Sequence, residues 1–380
     1  MRAVEGPYPR KKIVFLIGSL AGGGAERVFV TLLRHLDRRH FEPHLIVLEA
    51  EGEFACEVPK DVVIHSLNGD RYRRSLPGLC YLMWSLVQLL WNIRPRTVLS
   101  TGRINLALAL ARPFLPRGTK LLIRECSVLS ARLESDTRFP HVWRWLYQRL
   151  YRWADNVVCP SDSMVKDMTE QFNLPHQQPV RIYNPIDLDL VRELGTSGGN
   201  PYSGGGPQLV AAGRLSNEKG FDLLLAAMPR VLECLPNARL TILGHGPLMN
   251  MLAEQVEKLG LTESVSFSGF QQNPWPYLCH ADLFVLPSRR ESFSNALLEA
   301  LALETPAVAI DCPGAIREIY GSNPAVRLVP AGDCLMLAEA IIERCKAARQ
   351  ERINLKTSPD WLAKFALQRI MGEYSALFLG

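Results

Sequence analysis

Two doubly wound α/β domains of the Rossmann type, facing a central cleft, are the fold that this 380-residue sequence predicts. Three observations predict it. Strand-like apolar runs alternate with helix-like runs down the chain, a Gly/Ser/Pro-rich stretch (TSGGNPYSGGGP) with no apolar period interrupts them, and the alternation then restarts. Alternation of this kind calls for a parallel sheet with helices on both faces. The chain is also longer than the roughly 250–300 residues at which single cores stop growing. Its apolar fraction of 47% supplies two cores.

In order, KKIVFLIGSL is the first strand. Its apolar part, Ile13 to Leu20, is short and runs into AGGGAE instead of a small-residue cleavage site, so it is read as a strand and not as a leader. A helix begins near Ala25, and HLIVLEA, TVLSTG, KLLIREC and NVVCPS follow as strands. The longest apolar stretch, residues 79–93, is shorter than the roughly 20 residues of a spanning helix and carries Ser85, Gln88 and Asn92. These segments make a first domain over 1–194, and residues 195–207 read as a linker. The second domain, 208–358, repeats the pattern with QLVAAG, RLTILG, SVSFSGF, DLFVLPS and PAVAI. Residues 359–380 read as a C-terminal helix that packs back on the first domain.

Composition narrows the function. Nine scattered cysteines without a CxxC pair argue for neither a disulfide framework nor a zinc site, and they fit a reducing compartment. The net charge of +5 is uneven: residues 1–190 carry 26 Lys or Arg against 19 Asp or Glu, and residues 71–153 carry fifteen against three. Trp84, Trp91, Trp143, Trp145 and Trp153 lie in that basic stretch. Such a field attracts phosphates or an anionic membrane surface, or it marks ordinary amphipathic helices whose arginines face water. No nucleic-acid-binding module accompanies it.

Several patterns carry chemistry. Gly22, Gly23 and Gly24 follow the first strand and precede a helix, where backbone amides can approach a phosphate. The same loop, with Glu49 ending the next strand, also suits a dinucleotide, although GxGxxG is missing, or it is a plain turn. In AAGRLSNEKGFDLLL, Arg214 and Lys219 stand five apart between a strand and a helix and form a candidate diphosphate clamp. Asp187 and Asp189 could hold a divalent ion, but they follow Pro185 at a helix start, where acidic residues favour the helix dipole. Gly244 and Gly246 flank His245 in a turn suited to close approach by a ligand. In RRESFSNALLEALALETP, Glu299 sits in a helix with no polar face, eight positions after Glu291. A carboxylate there needs a partner or a ligand.

Taken together, GGGAERV, GRLSNEKGFDLLL, LGHGPL and RRESFSNALLEALALETPAVA resemble the family 4 retaining glycosyltransferases over most of residues 12–380. The resemblance implies the GT-B architecture and a nucleotide diphosphate sugar donor, with no metal and no other cofactor. Carried onto this chain, it makes Arg214 and Lys219 the diphosphate ligands and Glu299 the ribose ligand. Glu291 faces the donor sugar, and the amides of Phe293, Ser294 and Asn295 hold phosphate oxygens. Gly23 and Gly24 close on the diphosphate, Gly244 lies close to the ligand, and Phe270 with Gln271 contacts the base. Arg214, Lys219 and Glu291 are the catalytic candidates. On the first domain Arg103, Arg124 and Glu125 are the acceptor-binding candidates. The chain departs from many relatives in having Ser292 after Glu291, and IREC where several place a histidine.

The reaction implied is transfer from a UDP-hexose or UDP-N-acetylhexosamine, with retention, to a glycan or polyprenyl-diphosphate-linked acceptor. The implied location is cytoplasmic, peripheral on the inner membrane face. A nucleotide-sugar epimerase of the same architecture and a dinucleotide-dependent oxidoreductase are the rival readings; the latter gives Arg214, Lys219 and the two glutamates no joint role.

Overall fold

A computed structural model describes residues 9–49, 51–67, 76–321, 323–351 and 359–380. It divides into two compact units, Met1–Pro185 with Gln368–Gly380, and Ile186–Leu367.

The first unit holds a parallel sheet of β1 (Lys11–Ile17), β2 (Phe41–Val47), β3 (Val63–Ser66), β4 (Thr97–Thr101), β5 (Lys120–Arg124), β6 (Asn156–Cys159) and β7 (Pro179–Arg181). The spatial order is β3-β2-β1-β4-β5-β6-β7. Ile13 of β1 pairs with Pro43 on one side and Thr97 on the other. Strands covered on both faces are apolar throughout, as IVFLI is here. Alternation sorts its side chains between two layers. Val14 and Leu16 join the core beneath helices Leu76–Ile93, Ile104–Ala111, Leu129–Asp136, Pro140–Tyr151 and Asp162–Glu170. Phe15 meets Phe29 of helix Gly24–His35 and Phe378 of the last helix, Leu367–Leu379, both edge-on. Phe378 also meets Phe41, and Lys120 Nζ donates to Leu377 O at 2.9 Å, satisfying a carbonyl at that helix end.

The second unit repeats the plan with β8 (Gln208–Ala212), β9 (Arg239–Leu243), β10 (Val265–Gly269), β11 (Leu283–Leu286), β12 (Ala307–Ile310) and β13 (Val326–Val329), in the order β10-β9-β8-β11-β12-β13. In both sheets the order reverses once, between β1 and β4 and between β8 and β11. Ligands of doubly wound sheets bind beyond the strand C-termini at such a reversal.

The boundaries differ from the segments 1–194, 195–207, 208–358 and 359–380 read from composition. The units part after Pro185 because helix Leu188–Ser197 packs on the second unit. A Cβ on Gly195 would lie 2.8 Å from Leu303 Cδ2, and Asn273 Nδ2 donates to Leu194 O. Residues 195–197 are therefore helix. At the other end, residues through Leu367 stay with the second unit, where Phe365 packs edge-on against Phe293. Residues 71–75 of the basic stretch and 352–358 lie outside the described residues.

Candidate active site

At the C-terminal edge of the second sheet, the loops after β8 and β11 meet. The β8 loop carries exposed Arg214 and then a short turn, Asn217–Lys219, closed by Gly220 at φ +64°. A Cβ on Gly220 would stand 2.1 Å from Pro287 O, so glycine is what lets the two loops approach. The contact delivers Lys219: its Nζ donates to Glu291 Oε1 at 2.5 Å, and Ser288 Oγ donates to the same oxygen at 2.9 Å. The Glu291 side chain is 4% exposed and that of Lys219 is 24%. A carboxylate so deeply buried needs this cation and hydroxyl together. Glu291 is also held by its backbone, which bridges Gly314 in the loop after β12. Beside the pair, burial first and then the Glu291 charge push the Cys312 thiol up to about 12.

Arg289 fixes the β11 loop to the helix Phe221–Cys234 through two 2.6 Å bonds to Asp222, and its amide donates to Glu218 O. The Arg289 hydrogen bonds hold the Asp222 carboxyl below its ordinary value near 3.8. A depressed carboxyl stabilises the fold above its unfolded pKa, and the contribution is lost as pH falls through the folded one. Arg289→Ala should therefore cost about 1 kcal/mol at neutral pH, since both groups are about one-third exposed. The difference from wild type should shrink below about pH 4 in thermal melts. A pH-independent difference would remove the ion pair from the account.

Helix Asn295–Ala302 starts at the same edge, with Ser294 Oγ accepting from Leu297 N as its cap. Phe293 is buried against Phe365, and Asn295 opens the helix. Glu299, half-buried on the second turn, accepts from Trp275 Nε1 at 3.0 Å. The two glutamates thus face different partners, Glu291 the cation and Glu299 the indole. After β9, Gly244 has φ +127° and a Cβ there would lie 2.0 Å from Gly213 O; Leu215 N donates to His245 O. Phe270 stands edge-on to His245 at 6.0 Å, and Gln271 Nε2 donates to Ser268 O. Arg214, Lys219, Gly244, Phe270, Glu291, Phe293, Ser294 and Asn295 thus all lie on loops at strand C-termini or on the helix start that follows. Ser288, Trp275, Asp222, Arg289 and Gly314 were not singled out from sequence. Ser288 stands three residues before Glu291 in a loop rich in polar groups, and that is the signal that could have found it. The rest depend on long-range contacts.

In the first unit, Gly23 caps helix Gly24–His35, and the Gly22 amide donates to Glu53 Oε2 at 2.8 Å. Sequence alone does not single out Glu53. Glu49 lies past β2, where its amide donates to Gly18 O. Asp187 is the N-cap of helix Leu188–Ser197 and Asp189 is in its first turn. Among the described residues, no group of three or more His, Cys, Asp or Glu is placed to hold a metal, and no helix is long and apolar enough to cross a membrane. Arg103 is exposed beyond β4.

Arg124 and Glu125 differ from the expectation of ligand-facing side chains, for they are 1% and 0% exposed. Arg124 Nη2 donates to Asn184 Oδ1 at 2.5 Å. Glu125 Oε1 accepts from Tyr151 OH and from Asn105 Nδ2, and Asn105 Oδ1 accepts from Ser100 Oγ at 2.7 Å. Burial, and then the Glu125 charge, push the Tyr151 phenol well above its ordinary value, so it stays a donor. Two charges side by side under a helical layer organise the end of β5 instead of lining its surface.

Comparison with known proteins follows the same division of the chain. The model described as Glycosyltransferase Family 4 matches residues 22–190, and Glycosyl transferases group 1 matches 206–346. The chain is 30% identical over 319 residues to N-acetylgalactosamine-N,N'-diacetylbacillosaminyl-diphospho-undecaprenol 4-alpha-N-acetylgalactosaminyltransferase of Campylobacter jejuni, a match covering 82% of this chain and 84% of that one. It is 30% identical to 2-deoxystreptamine N-acetyl-D-glucosaminyltransferase of Streptomyces fradiae over 58% of this chain and 51% of that one. Among solved structures, HepE of Anabaena in complex with UDP and glucose superposes with a TM-score of 0.77 at 21% identity, covering 97% of this chain and 99% of that one. Sucrose-phosphate synthase of Thermosynechococcus elongatus gives 0.78 at 16% identity, covering 97% and 98%. At these identities the structural likeness speaks to fold, which is GT-B.

Proposed function

The chain belongs to glycosyltransferase family 4, and from that premise we propose that it transfers a hexose or N-acetylhexosamine from a UDP-sugar, with retention of the α configuration and without a metal. The observation that carries the reading is the pairing of Lys219 with buried Glu291 at the strand-order reversal, with Arg214 exposed on the same loop. Cations there neutralise a departing diphosphate, the kind of electrostatic help that weighs most when charge develops on a leaving group. The C1–O bond to the β-phosphate breaks as C1 bonds the acceptor oxygen on the same face. The acceptor hydroxyl proton passes to the departing phosphate. Arg214, Lys219 and the amides of Phe293, Ser294 and Asn295 take up the charge, and Glu291 orients Lys219 and the sugar.

Glu299, set by Trp275, is the proposed ribose ligand. Glu299→Gln keeps an oxygen for the indole to donate to, so the fold should hold while UDP affinity falls about ten-fold or more, the worth of a charge-assisted hydrogen bond. Titration calorimetry with UDP reads this; unchanged affinity would return Glu299 to a purely structural role.

For the acceptor we propose a polyprenyl-diphosphate-linked glycan at the cytoplasmic membrane face. The relative from Campylobacter jejuni is named for a diphospho-undecaprenol substrate, and the first unit carries the basic excess. Exposed Arg103 is the proposed acceptor contact, with Arg124 and Glu125 positioning the loop after β5. Product analysis with and without acceptor decides between transfer and epimerisation, the anomeric coupling of the product tests retention, and activity in chelator tests metal independence.

A further inference from the structure

Every exposed Phe, Trp or Tyr among the described residues lies between Tyr81 and Trp153. They lie on helices Leu76–Ile93 and Pro140–Tyr151 or on residues next to the ends of Pro140–Tyr151 and of Ile104–Ala111, a layer whose opposite sides supply Leu86, Leu90, Leu108 and Leu150 to the core. Trp84 is 58% exposed, Phe114 65% and Trp145 56%. Aromatics scattered singly on a surface are ordinary, but a layer that holds all of them is not. The layer borders a cavity of about 1390 Å³ at the starts of β1, β4 and β5, the edge opposite the glycine loop and Arg103. Arg10, Lys11, Lys12, Arg94, Arg96 and Arg117 line it, and among the described residues no acidic one does. Among the described residues Arg94, Arg96 and Arg117 form no ion pair.

We infer that this helical layer and its basic cavity form a docking surface for an anionic bilayer, with lipid phosphates in the cavity and the flanking indoles at headgroup depth. The charge is complementary to the phosphates of anionic lipid, and large amphipathic rings settle where apolar and wet regions meet. A soluble polyanion uses the cations and leaves the tryptophans unexplained; a second copy of this chain brings the same positive charge. The inference deepens the membrane part of the reading above and rests on it only for the choice of partner.

The test floats the 380-residue chain with vesicles of phosphatidylcholine, with and without phosphatidylglycerol. The chain should float with phosphatidylglycerol at low salt and be released at high salt, where surface charge is screened. Arg94→Ser, Arg96→Ser and Arg117→Ser combined should weaken partitioning about 100-fold, from roughly five-fold per cation near an anionic surface. Trp84→Ser with Trp145→Ser should weaken it without altering its salt dependence. Failure of the wild type to float, or a triple variant that floats like it, overturns the proposal. So does a dimer in sedimentation that the tryptophan variant dissolves. The UDP-induced rise in Tm, recorded on every variant, checks the fold and separates the two readings. A chain that responds to UDP and does not float loses this surface alone, and one that floats without responding loses the donor assignment.

Discussion

Lys219→Ala should lower turnover by about 100- to 1,000-fold, the range for deleting one preorganised group that stabilises developing charge. The structure adds a second consequence, since Lys219 is the cation on the buried Glu291 carboxylate. Removing one partner of a buried pair leaves an uncompensated charge and costs about 3 kcal/mol or more. The single variant alone could therefore lose activity through misfolding. Combining Lys219→Met with Glu291→Gln removes both charges in similar volume and leaves Ser288 an oxygen to donate to. The double variant should regain most of the stability in thermal melts and none of the turnover. Recovery of turnover with stability would show that Lys219 serves only the fold, and the clamp would have to be sought in Arg214.

Gly314→Ala should be the most damaging single methyl in the second unit. Gly314 has φ +133°, and a Cβ there would fall 1.3 Å from Glu291 O, inside any tolerable contact. The obstacle is backbone, so no rotamer change relieves it, and the Glu291–Gly314 bridge must open. Strain and lost pairing together should exceed about 3 kcal/mol. That lowers the melting point of this unit by roughly 10 °C. UDP binding should fall with it, because the loop that opens carries Glu291 to Lys219. A variant with normal melting and normal UDP affinity would show that the bridge plays no part in holding the site.

How much of this was legible beforehand depended on whether the signal was local. The strands of both sheets, their parallel alternation and the two-domain plan follow from short apolar runs and turn residues, which report their own neighbourhood. Lys219 and Glu291 could be named from spacing and resemblance. That they bond to each other could not, because 72 residues separate them. The domain boundary misled for a related reason: Gly195, Thr196 and Ser197 have linker composition, yet helix Leu188–Ser197 is held by packing on Leu303 and by Asn273. Arg124 and Glu125 looked like ligand residues because charge at a strand end is usually wet. Only the surrounding Asn184, Tyr151 and Asn105 show that both side chains turn inward and bond there.

By itself, then, the sequence determined the fold class, the family and the identity of some of the groups gathered at the second sheet's edge, since periodicity and motif spacing are properties of the chain alone. The tertiary structure decided which groups are partners and which face water. It set Glu299 on Trp275 and Glu291 on Lys219, buried Arg124, and spread the exposed tryptophans over one layer of adjacent helices. Burial and pairing are relations between distant segments, and their energies exist only once the chain has brought those segments together.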